Sequence, residues 1–161
     1  MKFAVALLLA MIVSSASLAA GAVDLVRVHK GERRMELLSA GEVVRTYWIA
    51  LGGNPIGHKL QQGDERTPEG RYVLDWRNPN SCCVKSLHVS YPNAADQAAA
   101  AAAGVSPGGM IMIHGPVNGL RWFDWALQWF DWTDGCIAVS EADMLEIWDM
   151  VGVGTPIEIN P

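Results

Sequence analysis

Short stretches of apolar and polar alternation fill the first half of the chain. Leu25-Val26-Arg27-Val28, Met35-Glu36-Leu37-Leu38 and Val43-Val44-Arg45-Thr46-Tyr47-Trp48-Ile49 are the clearest, and runs of this length and period predict strands. Gly31 and Ser39-Ala40-Gly41 stand where hairpin turns belong. A glycine- and proline-rich connection over 52–70 leads into a strand predicted at 71–75. A further strand fits 85–91, with Leu87, Val89 and Tyr91 on one face and Ser86, His88 and Ser90 on the other.

Helical signals come later. Asn93 is a good N-cap, Asp96 suits the positive end of the helix dipole, and the alanine run reaches Ala103 before Gly104 ends it. Met110 to Ile113 reads as a buried strand that delivers His114 and Gly115. Trp122, Trp125, Trp129 and Trp132 recur at steps of three, four and three, which predicts one helix over 120–132. Such an aromatic face normally packs into a core; a lid or a glycan-stacking surface is the alternative. A strand at 136–139, a capping-box pattern at Ser140-Glu141-Ala142-Asp143, a helix to Met150 and a last strand at 157–159 complete the chain. The expected fold is mainly β, a sandwich or partly open barrel with a few short helices at its margins.

Lys2, the unbroken apolar run Phe3–Val13 and the small residues through Ala22 have the pattern of an export signal over residues 1–22, cleaved after residue 19 or 22. Eleven apolar residues are short against the ~20 needed to span a bilayer. Residues 23–161 then form one domain of roughly 140 residues in the periplasm or another exported compartment. The chain has 12 basic and 17 acidic residues, and losing Lys2 leaves a net charge of −6, which argues against nucleic acid or an anionic membrane as partner.

Three cysteines in an exported chain cannot all pair within it, so one thiol is free or bonded to another chain. The pair Cys82-Cys83 has no base motif near it and is expected to be dispensable for catalysis. Cys136 differs. It follows a turn, Thr133-Asp134-Gly135, and begins an apolar strand, so a rigid base holds it while the preceding glycine lets a carbonyl approach and frees main-chain N–H groups for an oxyanion. Taken alone, this is equally compatible with a small buried hydrophobe. His114 shifts the balance, since it ends an apolar strand beside Gly115, and an imidazole is what turns a thiol of pKa ~8.5 into a nucleophile. His58, His88 and His114 raise a zinc reading, but no short metal-ligand spacing accompanies them, and no metal or cofactor is expected.

Ile113-His114-Gly115 followed by Asp131-Trp132-Thr133-Asp134-Gly135-Cys136-Ile137-Ala138-Val139 resembles the active-site signature of the L,D-transpeptidase (YkuD-type) family. Leu51-Gly52, Pro55 to Lys59 and Gly63 to Tyr72 resemble the segment that precedes the core in that family, and Ser90 to Asn93 resembles its YafK-like branch. The resemblance spans about 24–160. It implies a β-rich fold and acyl transfer on peptidoglycan stem peptides: Cys136 attacks the carbonyl of an L-centre next to a D-residue, His114 is the base, and the main-chain N–H groups of Gly135 and Cys136 hold the oxyanion. The histidine is then oriented by a main-chain carbonyl. The acceptor is an amine or water, and an envelope protein can serve as acceptor or leaving group.

One departure stands out. Many family members carry arginine two positions after the cysteine, where this chain has Ala138. Arg121 and Arg66 are the candidate replacements, and a roomier, less cationic site is expected because residues two apart on a strand share a face. His88 and Gly115 are further candidate substrate contacts, with solvent exposure the plainer reading of His88. Arg66 to Gly70 reads as a tight turn with Arg66 or Glu69 in an ion pair. The leading function is peptidoglycan L,D-transpeptidation. A hydrolase on the same scaffold and a noncatalytic wall-binding module are the alternatives.

Overall fold

The computed structural model describes residues 22–161, so the expected leader lies outside the described residues apart from its last alanine. The strands are β1 (Leu25–His29), β2 (Arg34–Ser39), β3 (Glu42–Trp48), β4 (Gly70–Asn78), β5 (Ser86–Val89), β6 (Met112–His114), β7 (Ile137–Ala138) and β8 (Thr155–Asn160). They form one sheet in the order β3-β2-β1-β8-β4-β5-β6-β7, curled into a half-barrel. Of the two expected architectures the partly open barrel is therefore the one adopted. β1 pairs with β8 and β6 with β7 in parallel, and the other neighbours are antiparallel.

Alternation explains the core. Val26, Val28, Leu37, Leu74, Leu87, Ile113, Ile137, Ile157 and Ile159 are fully buried, and Met144 and Ile147 of helix α3 (Glu141–Met150) join them. Each such side chain contributes about 1.5–3 kcal/mol of burial, before ordering costs. Helix α1 (Ala94–Ala102) begins as the sequence predicts: Asn93 Oδ1 accepts from the N–H groups of Ala95 and Asp96, and Asp96 Oδ2 accepts from Asn93 N–H. Lys30 Nζ meets Glu69 Oε1 at 2.8 Å, so the ion pair expected of the 66–70 turn falls on Glu69.

The tryptophan segment departs from expectation. In place of one helix over 120–132 there is a single 3₁₀ turn at Arg121–Phe123 and a four-residue helix, α2 (Asp124–Leu127). α2 has no side-chain cap, and a helix this short is marginal without one. Tertiary bonds then draw the following residues away: Asp131 accepts from Leu51 N–H and Arg33, and Thr133 N–H donates to Leu51 O. Trp122, Trp125 and Trp129 consequently face solvent, which overturns the core-packing expectation, while Trp132 turns inward.

Candidate active site

β6 and β7 run parallel with Ile113 beside Ile137 and His114 beside Ala138. That register sets Cys136, just ahead of β7, level with Met112. Side chains two apart share a face, so Cys136 and His114 emerge on one face, offset along the strands by about 6.6 Å. The hydrogen-bond pattern agrees: Cys136 Sγ lies 3.7 Å from Met110 O, at the entry to β6.

His114 is buried and its Nδ1 sits 2.7 Å from Gly115 O. A carbonyl oxygen only accepts, so Nδ1 carries the proton and Nε2 is left as the basic nitrogen. Burial holds the imidazole pKa below its ordinary value, against the opposing pull of Gly115 O. Trp132 stands edge-on to the ring, with centroids 5.7 Å apart. Burial raises the Cys136 thiol pKa, the Met112 main chain and Lys59 lower it, and Asp134 and Cys82 oppose them. Both shifts favour the uncharged forms, thiol and imidazole.

Thr133 builds the turn before the cysteine. Its Oγ1 donates to Cys136 O at 2.8 Å and accepts from Gly135 N–H at 3.1 Å. Gly135 has φ +119 and packs against Arg66 O, which leaves no room for a side chain. Met110, whose O approaches the thiol, also lines a cavity of about 630 Å³ together with Lys59, Gln62, Glu65, Ser106 and Asp134. Two non-glycine residues with positive φ, Val84 (+66) and Met110 (+57), flank the pair, a clustering of backbone strain common at functional sites.

Gly135 N–H donates to Thr133 Oγ1, so an oxyanion at that group would compete with this bond. The space beside Gly115 is filled, since an added Cβ would meet Val84 Cβ at 3.0 Å and Cys83 O at 3.2 Å. Ala138 is fully buried and exchanges main-chain hydrogen bonds with Ala50, so the expected roominess at that position is closed off. Arg66 turns its guanidinium to His58 O, and the side chain of Arg121 lies outside the described residues. Among the described residues, the cation that lowers the Cys136 thiol pKa is Lys59, which the sequence did not mark; it is buried with Nζ 2.8 Å from Asp64 Oδ1.

His88 shares the sheet face of His114 by register, through its partner Met112. Its Nδ1 lies 2.6 Å from Asp75 Oδ1 and its ring stacks on Trp76 at 5.0 Å. The Cys82-Cys83 loop adjoins the His114 strand end, because Cys83 O accepts from Gly115 N–H at 3.1 Å. Burial and the bond to Cys82 push the Cys83 thiol up to about 12.

Thr133 carries a testable role. Thr133→Val keeps the volume but strands the buried Gly135 N–H, an expected loss of about 1–3 kcal/mol in denaturant stability and a clear fall in the acylation rate of Cys136. Thr133→Ser should retain both. Equal acylation rates for the Val and Ser variants would remove Thr133 from the machinery.

The family model of the L,D-transpeptidase catalytic domain matches residues 24–159. YafK of Escherichia coli (strain K12) is 29% identical over 133 residues, which are 78% of this chain and 46% of that protein, so the chain spans about half the length of the curated relatives it matches. Among solved structures, the helical cell shape determining protein Pgp2 of Campylobacter jejuni superposes with a TM-score of 0.64 at 24% identity, over 87% of this chain and 48% of that one. An L,D-transpeptidase from Mycobacterium smegmatis gives 0.58 at 18%, over 88% and 60%. At these identities the structural likeness shows the fold.

Proposed function

We propose that this chain, which belongs to the L,D-transpeptidase catalytic domain family, transfers acyl groups of peptidoglycan stem peptides through a thioester on Cys136. The carrying observation is His114, whose Nδ1 is bonded to Gly115 O so that Nε2 remains a base on the same sheet face as the thiol. As Sγ attacks the carbonyl carbon of an L-centre, its proton passes to Nε2, and the Cys136 N–H faces the developing oxyanion. The imidazolium returns the proton to the departing amine of the D-residue. An incoming amine then attacks the thioester, loses its proton to Nε2 and restores the thiol. A neutral starting pair suits this sequence, because charge develops only as the carbonyl is attacked.

The export pattern at residues 1–22 supports action in the periplasm, where stem peptides and envelope proteins are both available as acyl acceptors. Water is the competing acceptor. Purified protein given a defined stem tetrapeptide and a physiological amine together should yield mainly the amide, read by mass spectrometry. If only the free acid appears across plausible amines, the transferase reading fails and an L,D-specific hydrolase replaces it.

A further inference from the structure

Away from the thiol, the chain exposes aromatic rings that its own core does not use. Trp48, Trp129 and Phe130 are 59, 78 and 69% exposed, and Trp122 and Trp125 are 75 and 70% exposed. Single exposed aromatics need no explanation, but a group of this size marks an interaction site. Trp48, Trp129 and Phe130 wall a cavity of about 670 Å³, within the size range of small-molecule sites.

The cavity is not simply greasy. Arg33, Gln128 and Asp131 also line it. The Arg33 guanidinium grips Asp131 through Nε at 3.0 and 3.1 Å and through Nη2 at 2.6 Å, so both groups are fixed in place. The Trp48 indole N–H donates to Gln128 O at 3.1 Å, which sets the angle of that ring. The side-chain oxygen of Gln128 is buried and has no hydrogen-bond partner. Rigid ring faces beside fixed polar groups match a pyranose, whose C–H faces are apolar and whose rim carries hydroxyls that both donate and accept. A lipid surface fits less well. Covering the rings with acyl chains would also desolvate Arg33 and Asp131, and the chain's net negative charge repels anionic headgroups.

Position supports the same ligand. Asp131 Oδ1, on the wall of the cavity, accepts from Leu51 N–H at 2.9 Å, and the next residue, Gly52, packs directly on Gly135 beside Cys136. One chain segment, 51–53, therefore separates the aromatic cavity from the nucleophile's turn. Two or three extended residues of a stem peptide reach about 7–11 Å.

We propose that the cavity walled by Trp48, Trp129 and Phe130 binds sugar rings of the glycan strand that carries the stem peptide. The identity of the glycan rests on the peptidoglycan reading above; sugar binding itself does not require turnover. The Cys136→Ala protein, titrated by calorimetry with peptide-free strands of alternating N-acetylglucosamine and N-acetylmuramic acid, should show saturable binding. Adding Trp129→Ala or Trp48→Ala should weaken it at least ~10-fold, a loss of about 1.4 kcal/mol. Trp48→Phe, which keeps a ring but loses the bond to Gln128 O, should weaken it less than Trp48→Ala does, and Trp122→Ala, outside the cavity, should leave it nearly unchanged. Absence of saturable binding, or equal losses in the Trp122 and Trp129 variants, overturns the proposal. So does binding to phosphatidylcholine vesicles or self-association that needs Trp129 when glycan binding does not. Turnover separates the two readings: a chain with Cys136 intact that processes neither free nor glycan-linked stem peptide refutes the acyl-transfer reading while the titration still decides the sugar site.

Discussion

Cys136→Ala is expected to abolish product formation while the protein stays folded, with a thermal midpoint close to the parent's. The side chain is partly buried and its polar contacts are weak, an approach to Met110 O and one to the Met112 main chain, so little stability is lost with the sulfur. The reaction loses everything that depends on a thioester, a fall of at least ~10³-fold in kcat. His114→Ala should cost about 10²–10⁴-fold through loss of the base, although this ring is buried against Trp132 and its removal also leaves a cavity. A carbapenem, which presents a strained acyl group, should add its mass to the peptide containing Cys136 and to neither Cys82 nor Cys83. Burial keeps Cys83 protonated well above neutral pH, and replacing Cys82 and Cys83 together by serine should preserve most turnover. Parent-like activity in Cys136→Ala would end the mechanism.

Local patterning made much of the scaffold legible. The runs at 25–28, 35–38 and 43–49 became β1, β2 and β3, and the Asn93 cap with its alanine run became α1, because each signal is settled by neighbours in sequence. Cys136 and His114 stood out for the same reason, each being a chemically distinctive residue beside glycine, the first at the start of an apolar run and the second at the close of one. What stayed hidden depends on contacts between distant segments. Nothing near β1 announces its parallel pairing with β8. Thr133 shows its importance only once its hydroxyl is seen between Gly135 N–H and Cys136 O, and Lys59 only once the fold brings its charge near enough to act on the thiol. The tryptophan period was real as a pattern but misleading as a helix, since Asp131 and Thr133 find better partners on residues 33 and 51 than a helix could supply.

Gly135→Ala and Gly52→Ala should be the most damaging conservative changes in the chain, and their comparison separates two causes. Gly52 is not in the positive-φ region, yet a Cβ there would overlap Glu65 O, stand 2.8 Å from Glu65 C and 2.9 Å from Gly135 Cα. All of these are main-chain atoms, which cannot swing aside as a side chain would. Gly63 is the opposite case, with φ +79 and nothing within 4 Å of the added carbon. Gly63→Ala therefore reports backbone conformation alone, at about 1–2 kcal/mol. Gly52→Ala reports overpacking, at about 1–3 kcal/mol or more. Gly135→Ala combines both, since φ is +119 and the new carbon would press into Arg66 O and lie 3.2 Å from Arg66 C. It should cost several kcal/mol and, by displacing the turn that holds Cys136, lower acylation more than any loss of folded protein accounts for. Denaturant midpoints for the three variants, with carbapenem acylation rates corrected for the folded fraction, test the order Gly135 above Gly52 above Gly63. A Gly135→Ala protein with the parent's midpoint and acylation rate would mean that the close packing of Gly52, Arg66 and Gly135 does not fix the nucleophile.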